Sequence, residues 1–195
     1  MTAPLPGWLP PLPGGVAADK PAFIDGGSGR VVTHASLALR AARIAAWLSG
    51  LGLSPGDGIA MLLENRAELI ELALGAECAG LYHTPIGTQL TPGEIDYLLR
   101  DCGARVFVAS RTMLDGPGAQ LDLPPGLTRV LLDDRREGWL GYEDALASVP
   151  AQQLATRWDQ LAQRPQGRDL LYSSGTTGRP KGVKRALVPR LPAGQ

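Results

Sequence analysis

A chain of 195 residues with 44% hydrophobic and 19% charged positions is long enough for one domain with a sizeable core, and its composition argues against a disordered tail. Nineteen Lys and Arg balance nineteen Asp and Glu, so the net charge gives no sign of a nucleic-acid or anionic-lipid partner. Any anion site must therefore be built locally.

The first fifteen residues, "MTAPLPGWLPPLPGG", contain five prolines and lack both the positive start and the unbroken apolar run of a signal peptide. No stretch approaches membrane-spanning length, which makes the cytoplasm the expected compartment. Residues 1–20 are predicted to be a Pro-rich arm lying on the body, with Trp8 and Leu9 as anchors.

Two short strands, Ala22 to Asp25 and Arg30 to Thr33, are predicted around a Gly-Gly-Ser-Gly turn. Leu37, Ala41, Ile44 and Leu48 then recur at helical spacing, predicting an amphipathic helix from Ser36 to Gly50. Ile59 to Glu64 is an apolar run without alternation, as expected of a parallel strand covered on both faces. A helix at about Ala67 to Ala79 leads into "LYHTPI", and Thr91, Pro92 and Glu94 mark the start of another as N-cap, first helical residue and capping-box acid.

Arg105 to Ser110 and Arg129 to Asp134 read as further buried strands, separated by a segment of loop composition, residues 114–127. Gly141 to Val149 and Gln152 to Gln163 read as helices, and Asp169 to Ser173 as one more strand. Strand alternating with helix predicts an α/β fold, with a mostly parallel sheet and crossover helices.

Two cysteines, Cys78 and Cys102, do not make a disulfide framework, and reduced thiols are expected. His34 and His83 have no neighbouring ligands at zinc spacing, so no metal site is assigned to them. Chemistry concentrates instead in "YSSGTTGRPKG", Tyr172 to Gly182, directly after the last predicted strand. Loops at the carboxyl ends of strands are where α/β folds place ligands. Gly175, Gly178 and Gly182 allow backbone N–H groups to converge on an anion, Ser173, Ser174, Thr176 and Thr177 add hydroxyl donors, and Lys181 adds a full charge.

The P-loop pattern fails here, because the fifth residue after Gly175 is Pro180 and after Gly178 is Val183. The glycine spacing fails the dinucleotide and kinase fingerprints too. What "LLYSSGTTGRPKG" does resemble, residue for residue, is the AMP-binding signature of the adenylate-forming superfamily. Upstream, "THASLALRAARIAAWLSGLGLSPGDGIAMLLEN" and "ELALGAECAGLYHTPIGTQLTPGEIDYLLRDCGARVFVAS" resemble the same family's N-terminal elements, and "GLYHTP" and "LTPGEIDYLL" are similar to its bacterial fatty- and aryl-acid CoA synthetases.

The resemblance implies that residues 21–183 are the N-terminal part of that family's large domain, with 184–195 as a truncated tail. It implies a two-step acid–CoA ligation that uses ATP, magnesium and coenzyme A as small-molecule partners. Ser173, Ser174, Gly175, Thr176, Thr177, Gly178 and Lys181 would follow the β- and γ-phosphates as they become pyrophosphate. In the family, the adenine pocket, the magnesium-binding acid, the ribose-binding acid and the catalytic lysine follow this loop. No residue after Val183 reproduces them, so no catalytic residue and no metal ligand is assigned, and the chain is expected to be an N-terminal fragment inactive alone. Two further readings are a non-catalytic nucleotide- or pyrophosphate-binding or protein-interaction module, and a Pro-rich adaptor using residues 4 to 13.

Overall fold

The computed structural model describes residues 15–27, 29–173 and 180–190. The first hairpin pairs β1 (Pro21–Ile24) with β2 (Val31–Thr33), close to the predicted limits. Helix α1 (His34–Gly50) starts two residues earlier than its apolar periodicity, because Thr33 is the N-cap and accepts the Ser36 amide at 3.2 Å. Helix α2 (Ala67–Ala79) has the predicted bounds. Helix α3 (Pro92–Asp101) carries the expected capping box, in which the Thr91 amide donates to Glu94 Oε2 at 2.8 Å and the Thr91 hydroxyl accepts from the Glu94 amide.

Seven strands form the main sheet in the order β7-β6-β5-β3-β4-β8-β9. They are β3 (Gly58–Leu62), β4 (Tyr82–Pro85), β5 (Ala104–Ser110), β6 (Thr128–Leu132), β7 (Leu140–Gly141), β8 (Arg168–Ser173) and β9 (Lys181–Lys184). All neighbouring pairs are parallel except β8 with β9. The chain leaves β3 for β4 on one side, crosses back to β5 on the other, runs outward through β6 and β7, and returns to place β8 beside β4.

Every residue of β3 is buried, because alternate side chains enter separate cores. Ile59 and Met61 pack with Ile44 and Leu48 of α1, Leu72 of α2, Leu146 of α5 (Tyr142–Ala147) and Leu161 of α6 (Ala151–Ala162). On the opposite face, Ala60 and Leu62 pack with Ile95 and Leu99 of α3, Phe107 of β5 and Leu114 of α4 (Arg111–Asp115). Two helical layers therefore sandwich the sheet, as the α/β pattern predicts.

Several elements depart from the sequence reading, β3 among them, which ends at Leu62 rather than Glu64. Helix α4, five residues long, begins where a strand ends, with Ser110 as its N-cap accepting the Met113 amide at 3.1 Å. Strand β7 (Leu140–Gly141) takes Gly141 from the start of a predicted helix. Strand β6 stops at Leu132, two residues short of its predicted end, and Asp133 takes a left-handed φ of 71°. That turn aims its carboxylate at the Arg66 guanidinium, which donates to both oxygens at 2.5 and 2.8 Å.

One charged cluster ties the helical layer together. Glu71 of α2 is fully buried, and its Oε2 accepts from Arg40 Nε of α1 at 2.9 Å and from the Tyr142 hydroxyl of α5 at 3.1 Å. The two terminal nitrogens of Arg40 fork onto Glu143 at 2.8 and 2.7 Å, and Arg30 lies 3.7 Å from the other Glu71 oxygen. Among the described residues, no helix is long and apolar enough to cross a membrane.

Arg40→Met removes the main partner of a buried carboxylate. The expected cost is about 3–5 kcal/mol in urea unfolding, with Arg40→Lys falling between the two because a single ammonium cannot fork.

A candidate phosphate-binding loop at the carboxyl end of β8

The loop's placement starts with how β8 reaches the sheet. Its parallel register on β4 is Tyr82↔Arg168 and His83↔Asp169. Just before it, the Gly167 amide donates to the Glu77 carbonyl at 2.9 Å and the Arg168 amide to the Leu81 carbonyl at 3.1 Å. A Cβ on Gly167 would sit 2.2 Å from the Leu81 oxygen and 2.6 Å from its nitrogen. Only glycine permits this backbone-on-backbone approach.

Strand β8 ends at Ser173, and the chain is described again from Pro180. Lys181 pairs with Ser173, Gly182 with Tyr172, Val183 with Leu171 and Lys184 with Leu170. The two ends of the motif are thus adjacent, and Ser173 and Lys181 sit opposite each other, both exposed. Ser174, Gly175, Thr176, Thr177 and Gly178, the other predicted site residues, lie outside the described residues, as do Trp8 and Leu9 of the arm.

The reading of Gly182 requires correction. It is a strand residue of β9 opposite Tyr172, and a Cβ there would lie 3.2 Å from the Tyr172 ring. Its missing side chain makes room for that ring, whereas the sequence reading assigned it to an anion cradle. Hydrophobic periodicity did not reveal β9, since "KGVK" is exposed throughout and has no apolar run.

The stretch after Lys184 is anchored to the body as far as Arg190. The Tyr82 hydroxyl donates to the Arg185 carbonyl at 2.6 Å, and the Gln166 amide donates to the Val188 carbonyl at 2.9 Å. Arg190 donates to the carbonyls of Glu77 and Cys78 at 3.3 and 2.7 Å. Both carbonyls lie in the last turn of α2, at the negative end of the helix, which a guanidinium suits.

Charge is distributed to favour an anion here. After Asp169 the sequence contains Arg179, Lys181, Lys184, Arg185 and Arg190 and no acid, although the whole chain is neutral. Arg185 is paired with Asp169. Lys184 lies over the Tyr82 ring, 4.6 Å from its centroid.

The remaining titratable groups do not compose a second site. Cys78 and Cys102 are free, and burial pushes the Cys78 thiol up to about 11 and raises that of Cys102, so neither is a thiolate near neutral pH. His83 is buried on β4, with Nε2 3.2 Å from Glu77 Oε1 and Nδ1 without a hydrogen-bond partner. Among the described residues no three His, Cys, Asp or Glu side chains converge as a cation site.

Two cavities are lined by other parts of the described chain. One of about 460 Å³, at the carboxyl ends of β6 and β7, is lined by Arg66, Asp133, Tyr142 and Glu143 among others. Another of about 510 Å³ lies between the end of α6 and residues 187–190. Ser173 and Lys181 line neither.

The family of AMP-binding enzymes matches residues 15–186. Long-chain-fatty-acid–CoA ligase FadD13 of Mycobacterium tuberculosis is 32% identical over 183 residues, which cover 91% of this chain and 34% of that protein. 4-Coumarate–CoA ligase 1 of Oryza sativa subsp. japonica is 35% identical over 175 residues, covering 85% and 30%. Among solved structures, the anthranilate CoA ligase AuaEII in complex with anthranoyl-AMP superposes with a TM-score of 0.67 at 29% identity, over 85% of this chain and 31% of that one.

The fold is that of the N-terminal part of an adenylate-forming enzyme, and the chain belongs to the AMP-binding enzyme family. It spans about a third of the length of these relatives, 34% of FadD13 and 30% of the coumarate ligase.

Gly167→Ala should lower unfolding stability by at least about 2 kcal/mol, since its Cβ meets backbone that cannot rotate away, and amide exchange in β8 should quicken more than in β3. Asp133 gives a pH-dependent test. The Arg66 fork holds its carboxyl below the ordinary 3.8, so the stabilisation is complete above that value and fades as pH falls through the lowered one. Asp133→Asn should cost up to about 1 kcal/mol near neutral pH, and the difference from the parent chain should vanish at strongly acidic pH.

Proposed function

We propose that this chain supplies the phosphate-binding part of an ATP-dependent acid–CoA ligase whose substrate is a fatty or aryl carboxylic acid. The observation that carries the reading is the pairing of Ser173 with Lys181, which brings a hydroxyl and an ammonium to the two ends of a Ser/Thr/Gly segment beyond a parallel strand. The relatives support the reaction class: fatty-acid and coumarate CoA ligases match in sequence, and the anthranilate ligase carries an acyl-adenylate.

In this reading the substrate carboxylate, with a pKa of about 4, is already ionised at neutral pH and needs no general base to attack the α-phosphorus of ATP. Pyrophosphate leaves as the acyl-adenylate forms, and the thiol of coenzyme A then takes the acyl group and releases AMP. Negative charge accumulates on the leaving pyrophosphate, so donors fixed beside the β- and γ-phosphates lower the barrier. Lys181 offsets that charge. Ser173, Ser174, Thr176 and Thr177 donate through hydroxyl or backbone N–H, and Gly175 and Gly178 let the chain approach the phosphates closely.

Residues 21–183 are accordingly proposed as a partial AMP-binding domain preceded by the arm of residues 1–20. Exposed Leu171 and Val183, neighbours on β8 and β9, favour one second reading: a binding module whose open face associates with another protein surface.

The purified chain should show no acid-dependent exchange of pyrophosphate into ATP, and measurable exchange would overturn the proposed inactivity. In calorimetric titration it should bind pyrophosphate, with Lys181→Ala weakening binding by about tenfold. Absence of binding by the parent chain would refute the phosphate assignment.

A further inference from the structure

Strand β9 is an edge strand with every residue exposed, and a hairpin with so little packing is marginal by pairing alone. Beyond the anchors of residues 184–190 on β4 and α2, both legs of the loop also reach α3. The Tyr172 hydroxyl donates to Asp101 Oδ2 at 2.6 Å, one residue before Ser173. The Tyr97 hydroxyl lies 3.3 Å from Asp101 Oδ1 and 3.3 Å from the Pro180 carbonyl, one residue before Lys181, and shares its single proton between them.

Tyr97 and Asp101 are four residues apart on α3 and therefore share one face of that helix. A single carboxylate thus connects both legs of the loop: one through Tyr172, the other through Tyr97 and Pro180. Helix α3 makes a rigid mount, closed by its capping box and anchored by the buried Ile95, Leu98 and Leu99. Gly182 belongs to the same arrangement, because the Tyr172 ring occupies the space where its side chain would be. Burial and the bond to Asp101 both raise the Tyr172 phenol, which keeps its proton available for that bond at neutral pH.

We propose that Tyr97, Asp101 and Tyr172 are positioning residues for the phosphate loop, a clamp that fixes the separation of its two legs so that Ser173 and Lys181 face the same anion. The inference rests on the phosphate-binding role of the loop. Its physical basis is preorganisation: donors already held apart at the required distance lose less freedom when pyrophosphate binds. None of the three residues needs to touch the ligand.

The test uses the full chain with two readouts, backbone amide exchange and titration with inorganic pyrophosphate. Asp101→Asn and Tyr172→Phe should accelerate exchange at Ser173 and Lys181 by about tenfold, leave β3 and β5 unchanged, and weaken pyrophosphate binding by about tenfold. Tyr97→Phe, which removes one oxygen, should loosen the Lys181 leg more than the Ser173 leg. A merely structural contribution would instead accelerate exchange across the domain or lower the melting temperature without a local change. Unchanged exchange at both legs overturns the clamp, as does faster exchange with unaltered affinity. If the parent chain fails to bind pyrophosphate, the phosphate reading falls by itself, and the exchange data alone decide whether the clamp exists.

Discussion

The close approach of Gly167 to the Leu81 backbone is the constraint on which the site depends. It lets the chain, after its excursion through β5, β6, α5 and α6, come back to the free side of β4 and add β8 in parallel register. Everything with chemical potential follows from that placement. Ser173 ends at the carboxyl edge of the sheet, β9 folds back beside it, and the chain beyond bonds the Tyr82 hydroxyl through Arg185, the Gln166 amide through Val188 and the carbonyls at the end of α2 through Arg190. A side chain at position 167 would push the strand away by more than a hydrogen bond can stretch.

Electrostatics shows how a neutral protein can present a positive edge. Most arginines in the body are committed: Arg40 to Glu71 and Glu143, Arg66 to Glu68 and Asp133, Arg105 to Asp57, Arg164 to backbone carbonyls and the Ser49 hydroxyl. Acids are consumed upstream, and none follows Asp169. Lys181, exposed opposite Ser173, brings positive charge to the end of the loop, whereas the cavity at β6 and β7 is lined by charges of both signs.

Long elements with strong periodicity or capping chemistry were legible without coordinates. Helix α2 has the expected ends, Thr91 and Glu94 form the expected box, and β3 is doubly covered as its uninterrupted apolar run requires. Short elements were not legible. Helix α4 owes its start to one serine, β7 is two residues long, and β9 is a polar edge held by partners far away in sequence. Likewise, nothing about Tyr97 or Asp101 in "GEIDYLLRDCG" marks them as neighbours of a loop some eighty residues later.

The amino-acid sequence by itself determined the α/β class, the order of the main elements and the family to which "YSSGTTGRPKG" belongs, because those depend on local periodicity and on a motif of contiguous residues. Only the tertiary structure decided which strand β8 joins, that Gly182 is a strand residue beneath a tyrosine ring, and that one carboxylate on α3 reaches both legs of the loop. Those facts are contacts between residues distant along the chain. Sheet order and burial create them, and no local pattern encodes them.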